Sequence, residues 1–360
     1  MKILFILPDI TTRGGVERIT SILANTFVRK GIDVTIISLF KRMNMPAFAL
    51  DEKVCLTFIT RNDYNLKEGR TRLFPILLKA LVGLKKFLKT EPHDLVISQC
   101  FLPALLVFIS GYARQSVVCE HFKYELYKQP VLVLRNYVYS KFRRVITLIQ
   151  ADADKYRRVL NQVRVIPNIS PFIASDFSNL SQKRIIAVGR LQHEKGFDLL
   201  LDAVKDLFQT FQDWRLDVYG EGDLYNMLIE KRDLYHLQPF VDFKGYTDNI
   251  KKEMLQSSIF VLSSRHEGLP LVLLEAMSCA LPIVSFKCSE GPADLLKDNV
   301  GCLVEAENVV ALRNALKTMM ENQSLRESYA NREKIAIKKY SVDSILKMWI
   351  DLFHELGYSI

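Results

Sequence analysis

Short, continuous apolar runs alternate along the chain with longer stretches in which apolar residues recur every three or four positions. The runs Ile3 to Leu7, Val34 to Leu39, Asp94 to Ser98, Ser116 to Glu120 and Val145 to Ile149 predict strands. They are apolar at successive positions rather than at alternate ones, which is the pattern of parallel strands covered on both faces. Helical segments such as GVERITSILANTFVRK lie between them, giving a βαβ rhythm. That rhythm pauses at VRVIPNISP, where Pro167 and Pro171 bracket a connecting segment followed by the polar SDFSNLSQK. It restarts with Arg184 to Gly189, Arg215 to Gly220, Val241 to Gly245, Ile259 to Ser263 and Pro282 to Phe286. The expected architecture is α/β: two Rossmann-like, doubly wound parallel-sheet domains, residues 1–168 and 169–340, facing across a cleft. In open sheets of this kind ligands sit beyond the carboxyl ends of the strands, so chemistry is expected there.

Composition narrows the class. A chain of 360 residues with 49 % apolar and 25 % charged positions is long enough for two cores and too apolar for disorder. The six cysteines show no C-x-x-C spacing, which predicts reduced thiols in a cytoplasmic protein rather than a zinc ribbon or a disulfide framework. The apolar part of MKILFILPD is too short for a signal peptide, and FLPALLVFISGYA from Phe101 falls short of a bilayer span.

The net charge of +9 is concentrated in the first half, where residues 1–180 hold 27 Lys and Arg against 14 Asp and Glu. Residues 61–90 carry eight basic and two acidic side chains among aliphatics, and Lys141, Arg143 and Arg144 follow Tyr137 and Tyr139. This fits an amphipathic helix on an anionic membrane surface, or equally a solvated helix face. No nucleic-acid-binding motif accompanies the charge, and no nucleic-acid partner is expected.

Three strand ends carry candidate chemistry. In DITTRGGVER, Gly14 and Gly15 open a helix and leave backbone N–H groups approachable by an anion, although the pair is not the GxGxxG fingerprint and could be a tight turn. In AVGRLQHEKGFDLLLDAV, Arg190 leaves a strand while Lys195 and Gly196 open the next helix, two cations suited to a diphosphate or to surface ion pairing. In RHEGLPLVLLEAMSCALPIVSF, Glu267 sits on a Gly/Pro loop, Pro270 falls near the first helical position, and Glu275 lies about one turn inside an apolar helix. Two carboxylates there match sugar hydroxyls, although Glu267 could also cap the helix. Asp152 and Asp154 in DADKYRRVL are expected at a helix start rather than on a metal.

Together GGVER, GRLQHEKGFDLL and EGLPLVLLEAMSCALPIVSF followed by EGPADLL resemble the retaining glycosyltransferases of the GT-B class, group 1 (family 4), over essentially the whole chain. The closing KYSVDSILKMWIDLF resembles that family's final helix, residues 341–360, with Trp349 packing where the chain crosses back onto the first domain. The likeness is greatest to enzymes that extend lipid-linked or surface polysaccharides. Where those often read SFDCPSGP this chain reads SFKCSEGP, with Lys287 and Glu290, so their sugar preference is not carried over.

The resemblance implies roles. Arg190 and Lys195 would hold the donor diphosphate, and Gly14 and Gly15 would approach the phosphates from the first, acceptor-binding domain. Glu275 would accept from the ribose hydroxyls. Glu267 with the backbone of Gly268, Leu269, Pro270 and Leu271 would contact the sugar, the base would lie near Gly245 and Tyr246, and His121, ending the SVVCEH run, would stand beside the sugar. The burial of the two glutamates would then be compensated only when donor hydroxyls arrive. No cofactor or metal is expected, the cations and helix N-termini offsetting the phosphate charge. The expected activity is metal-independent retaining transfer of a hexose or N-acetylhexosamine from a UDP-sugar to a lipid-linked or polysaccharide acceptor, on the inner face of the cytoplasmic membrane. A nucleotide-sugar 2-epimerase, a phosphorylase of the same fold and a non-catalytic sugar-nucleotide sensor are the alternatives.

Overall fold

The computed structural model describes residues 1–60 and 70–359, and the chain divides into two compact units. The first is Met1–Ile169 together with Val342–Ile360, and the second is Ser170–Ser341.

The first unit is built on seven parallel strands: β1 (Lys2–Leu7), β2 (Asp33–Ser38), β3 (Cys55–Phe58), β4 (Leu95–Gln99), β5 (Ser116–Glu120), β6 (Arg144–Thr147) and β7 (Val163–Val165). Their order across the sheet is β3-β2-β1-β4-β5-β6-β7, so the chain winds outward from β1, returns, and continues on the other side from β4. β1 and β4 therefore flank the switch point. Helix Gly15–Arg29 presents Ile19, Leu23, Phe27 and Val28 to the core at helical spacing. Helix Val342–Glu355 does the same with Ile345, Leu346, Trp349, Leu352 and Phe353. Phe27 is where they meet: its ring centroid lies 5.8 Å from Phe5, 5.9 Å from Trp349 and 5.5 Å from Phe353. Arg143 donates to the Leu356 carbonyl at 2.7 Å, and the Tyr358 hydroxyl donates to the Asp94 carbonyl at 2.6 Å, so the closing segment is fastened as well as packed.

The second unit has six parallel strands: β8 (Arg184–Val188), β9 (Arg215–Tyr219), β10 (Val241–Gly245), β11 (Ile259–Leu262), β12 (Ile283–Lys287) and β13 (Cys302–Glu305). The order β10-β9-β8-β11-β12-β13 puts its switch point between β8 and β11. Its core joins Phe197, Leu201, Phe208 and Trp214 to the strand residues Ile185, Leu216, Val261 and Phe286.

Among the described residues no helix is long and apolar enough to cross a membrane. The basic stretch at 61–90 lies outside the described residues over 61–69, and the remainder forms helix Arg70–Thr90. That helix buries Ala80, Leu84 and Leu88 but leaves Phe74, Leu78 and Val82 exposed. The second basic cluster is partly consumed by the fold, since Arg143 is committed to the closing segment and Lys141 stands 4.7 Å over the Tyr137 ring.

Candidate functional site

In the second unit the sheet's switch point gathers the residues singled out at two strand ends. β8 runs into Gly189 and Arg190, then through the short 3-10 turn His193–Lys195 into helix Phe197–Val204. β11 runs into Ser263, Ser264 and the loop of Glu267 and Gly268, then into helix Leu271–Ser278. Because β8 and β11 are neighbours in the sheet, their loops meet. The Lys195 ammonium donates to Glu267 Oε1 at 2.7 Å, and the Ser264 hydroxyl donates to the same oxygen at 2.6 Å. The Glu267 side chain keeps only 9 % of its surface and that of Lys195 21 %. A charge so enclosed needs a hydrogen-bonded partner, and here the partner is protein: Glu267 does not wait for a ligand's hydroxyls to be compensated. The Ser289 hydroxyl, arriving after β12, donates to the Glu267 carbonyl at 2.8 Å and braces the loop from the other side.

Arg190 is exposed at the end of β8 and has no ion-pair partner among the described residues. It follows Gly189, and a side chain at 189 would press on the Lys195 stem at 3.3 Å, so the lysine reaches Glu267 by lying across that glycine. Gly196 has φ of 62°, and a Cβ there would lie 2.0 Å from the Ser263 carbonyl oxygen; only glycine lets the turn lie this close to the β11 loop. The result is two cations at one strand end, one already engaged by a carboxylate and the other open.

Helix Leu271–Ser278 starts after Pro270, which occupies the capping position with ψ of 115° rather than the first helical one. Leu269 and Pro270 are buried and Gly268 and Leu271 half-buried. Glu275 sits at mid-helix, 2 % exposed. Gly245 ends β10, the edge strand, and Tyr246 follows it, with β9 between that strand and β8. Gly245 has φ of 70° and Tyr246 is 44 % exposed. Glycines end all three strand runs: Gly189 donates to the Tyr219 carbonyl at 2.9 Å and Gly220 to the Gly245 carbonyl at 2.8 Å, forming a shelf without side chains beside the two cations.

His121, Gly14 and Gly15 belong to the first unit. Gly14 caps helix Gly15–Arg29 in an extended conformation, and the Glu17 carboxylate folds back over it while accepting from the Thr12 hydroxyl at 3.2 Å. Asp9, buried after β1, accepts from the backbone N–H groups of Thr11 and Arg42, each at 2.8 Å, tying the loops after β1 and β2 together. His121 follows β5, and its Nε2 donates to Gln99 Oε1, at the end of β4, at 2.5 Å. Burial pushes the His121 imidazole down to about 4, so it is neutral at physiological pH. It lines a small recess with Cys119, Ile19, Leu23, Asn168 and Trp349. Glu120 accepts from the Tyr139 hydroxyl at 2.7 Å and from the Phe122 N–H at 3.1 Å, fixing the turn that carries His121. Asp152 accepts from the Tyr124 N–H at 3.1 Å and Asp154 from Arg157 at 3.0 Å, both within or beside helix Gln150–Arg157.

Sequence reasoning passed over Ser264, Ser289 and Gln99. Ser264 stands three positions before Glu267 and Ser289 one before Glu290, each just past a strand end, which was the available signal. Gln99 lies on a different strand from His121, with only a position after an apolar run to mark it.

Three comparisons bear on this geometry. The family model described as Glycosyltransferase Family 4 matches residues 13–169, and the one described as Glycosyl transferases group 1 matches residues 171–336. The chain is 29 % identical over 366 residues to the amylovoran biosynthesis glycosyltransferase AmsD of Erwinia amylovora, covering 98 % of this chain and 99 % of that protein. It is 27 % identical over 367 residues, 99 % of each chain, to a Campylobacter jejuni enzyme named as an α-1,4-N-acetyl-D-galactosaminyltransferase acting on a diNAcBac-PP-undecaprenol-linked GalNAc disaccharide. In fold it is similar to sucrose-phosphate synthase from Thermosynechococcus elongatus, with a TM-score of 0.84 at 17 % identity over 99 % of each chain. With two units of parallel sheet, each matched by its own model in the same order, this chain belongs to the glycosyl transferases group 1 family and has the GT-B fold.

Proposed function

We propose that the chain is a retaining, metal-independent glycosyltransferase that moves a hexose or N-acetylhexosamine from a UDP-sugar to a lipid-linked or polysaccharide acceptor in surface glycan synthesis. The observation that carries this reading is the switch point of the second unit, where Arg190 and Lys195 stand at one strand end with Glu267 held beside them. A sugar diphosphate brings two requirements there: cations for its phosphates and an acceptor for its hydroxyls. Arg190 and Lys195 supply the first. Glu267 supplies the second, its remaining lone pairs accepting from the sugar, with the backbone of Gly268 to Leu271 alongside. Glu275 accepts from the ribose, and the base lies toward Gly245 and Tyr246.

Departure of the nucleoside diphosphate builds negative charge on the phosphate oxygen next to the two cations. Stabilising that charge and positioning the reactants is the larger part of catalysis. In a front-face path the departing phosphate takes the proton of the acceptor hydroxyl, and the new bond forms on the face the diphosphate leaves. His121, neutral and held through Nε2, keeps the sugar in place without adding a positive charge that would oppose an oxocarbenium-like centre. Gly14 and Gly15 offer backbone N–H groups to the phosphates.

The names of the Erwinia and Campylobacter relatives support a surface-glycan acceptor, in the second case one on an undecaprenyl carrier. The first unit would hold it at the cytoplasmic face of the membrane. Helix Arg70–Thr90 exposes Phe74, Leu78 and Val82 four residues apart, with Lys79, Lys85, Lys86 and Lys89 also exposed on it. Helix Val131–Tyr139 adds exposed Val133, Leu134 and Tyr137, and both helices pack on helix Phe101–Ile109. Apolar side chains ringed by lysines suit an anionic lipid surface.

The test is a screen of radiolabelled UDP-sugars against lipid extracts of the source cell, with the anomeric configuration of the product read by NMR. Transfer with the donor's configuration kept, in chelator, is the expected result. Inverted product would overturn retention, and conversion of a UDP-sugar without any acceptor would replace the transferase by an epimerase.

A further inference from the structure

Arg265, in the loop between β11 and Glu267, has no role in the site as described, yet its side chain is only 10 % exposed and every part of it is engaged. One terminal nitrogen donates to the His193 carbonyl and to Asp198 Oδ1, both at 2.8 Å, and the other to Asp198 Oδ2 at 2.7 Å. Its Nε donates to Glu307 at 3.1 Å. Its own backbone N–H donates to the Glu194 carbonyl at 2.7 Å. Two residues earlier the Ser263 hydroxyl donates to the Lys195 carbonyl at 3.0 Å.

Three consecutive carbonyls, those of His193, Glu194 and Lys195, are therefore all tied to residues 263–265. They belong to the turn that carries Lys195, and Asp198 is in the first turn of the helix that follows it. A 3-10 turn of three residues has few internal hydrogen bonds to keep its shape. A bidentate guanidinium–carboxylate pair fixes orientation as well as distance, and this one joins the first turn of the helix that follows to the loop that carries Glu267.

We propose that Arg265 is the positioning residue of Lys195. By clamping the turn 193–195 and Asp198 onto the β11 loop, it sets the backbone from which the lysine crosses Gly189 to reach Glu267. It touches no substrate and acts only through Lys195. The inference rests on the donor-site reading above, and it predicts that the two cations of this site differ: Arg190 is independent of Arg265 and Lys195 is not.

The experiment is a double-mutant cycle read as the Kd for UDP, GDP and ADP by calorimetry, with hydrogen exchange of the peptides covering 190–198. Arg265→Ala and Asp198→Asn, which cut the clamp from opposite sides, should each weaken binding of the preferred diphosphate about tenfold and speed exchange in 190–198. Arg265→Lys, keeping the charge without the fork, should resemble them. In a Lys195→Ala background Arg265→Ala should change Kd less than twofold, whereas in an Arg190→Ala background it should keep its full tenfold effect. Equal effects in the two backgrounds, or unchanged exchange in 190–198, would overturn the proposal. Wild-type protein that binds none of the three diphosphates would overturn the donor-site reading and the role of Arg265 with it.

Discussion

Lys195 and Glu267, 72 positions apart in the chain, meet with Nζ 2.7 Å from Oε1 at the carboxyl ends of two adjacent strands. The contact separates two properties that a single cationic site would merge. Arg190 is exposed and unpaired among the described residues, so Arg190→Ala should lower turnover by roughly a hundredfold while leaving thermal stability unchanged. Lys195→Ala should lower turnover as far and also destabilise the second unit by about 1–3 kcal/mol, because it leaves a carboxylate with 9 % exposure without its counter-charge, held by the Ser264 hydroxyl. Parallel measurement of transfer rate and melting temperature checks the split. Equal melting temperatures for the two variants would contradict it.

His121 gives the first unit an acid-sensitive term. Its imidazole titrates near 4 in the fold, below the ordinary value of 6.5. Between those values the unfolded chain takes up a proton that the native state refuses, so stability falls as the pH drops through that window. At pH 7 and above the term is absent, and by pH 4 it reaches at most about 3 kcal/mol. Urea unfolding at pH 7 and pH 4.5 should show a larger acid loss in the wild type than in His121→Gln.

Glu333 works in the opposite direction. It is fully buried in helix Gln323–Ala336, one oxygen accepts from the Ile283 N–H at 3.2 Å, and the other has no partner among the described residues. Burial raises its carboxyl well above the usual carboxylate range. The native state holds a proton that the unfolded chain releases above about 4.5, so stability is lost as the pH rises beyond that value. Glu333→Gln mimics the protonated form and should stabilise the protein at pH 8 by about 1 kcal/mol or more. The gain should shrink toward pH 4.5, as denaturant titrations at the two pH values would reveal.

Leu78 lies at the centre of the exposed apolar stripe of helix Arg70–Thr90. Leu78→Asp should reduce flotation with phosphatidylserine vesicles by about tenfold or more without altering UDP affinity, and added salt should reduce wild-type flotation as well. Flotation that is equal for both proteins would remove the bilayer from the first unit's role.

The interior of each sheet was legible because its strands are buried on both faces and read as near-continuous apolar runs, interrupted in β9 by the buried Asp217. β3, β7 and β13 were not anticipated: CLTF, VRV and CLVE are short and only half-buried at or near sheet edges, where the run of apolar residues is broken. The strand-end residues stood out because glycines and charges are unusual after such runs. Their partners did not. That Lys195 reaches Glu267, that Gln99 holds His121, and that Arg265 is spent on Asp198 are long-range pairings with no local period to reveal them. The commitment of Arg143 was hidden for the same reason, since the Leu356 carbonyl that takes it lies 213 residues away.

Trp349 and Phe353 complete the packing around Phe27 from a helix that follows the whole second unit in the chain. During synthesis at about 5–20 residues per second, the ribosome must therefore work for about 10–30 s through residues 170–341 before that helix exists. For that interval the nascent first unit shows an apolar groove beside Phe27 that its own chain has not yet filled, and the second unit has time to fold first. A ribosome stalled anywhere in between would leave that groove open for chaperones and proteases to recognise.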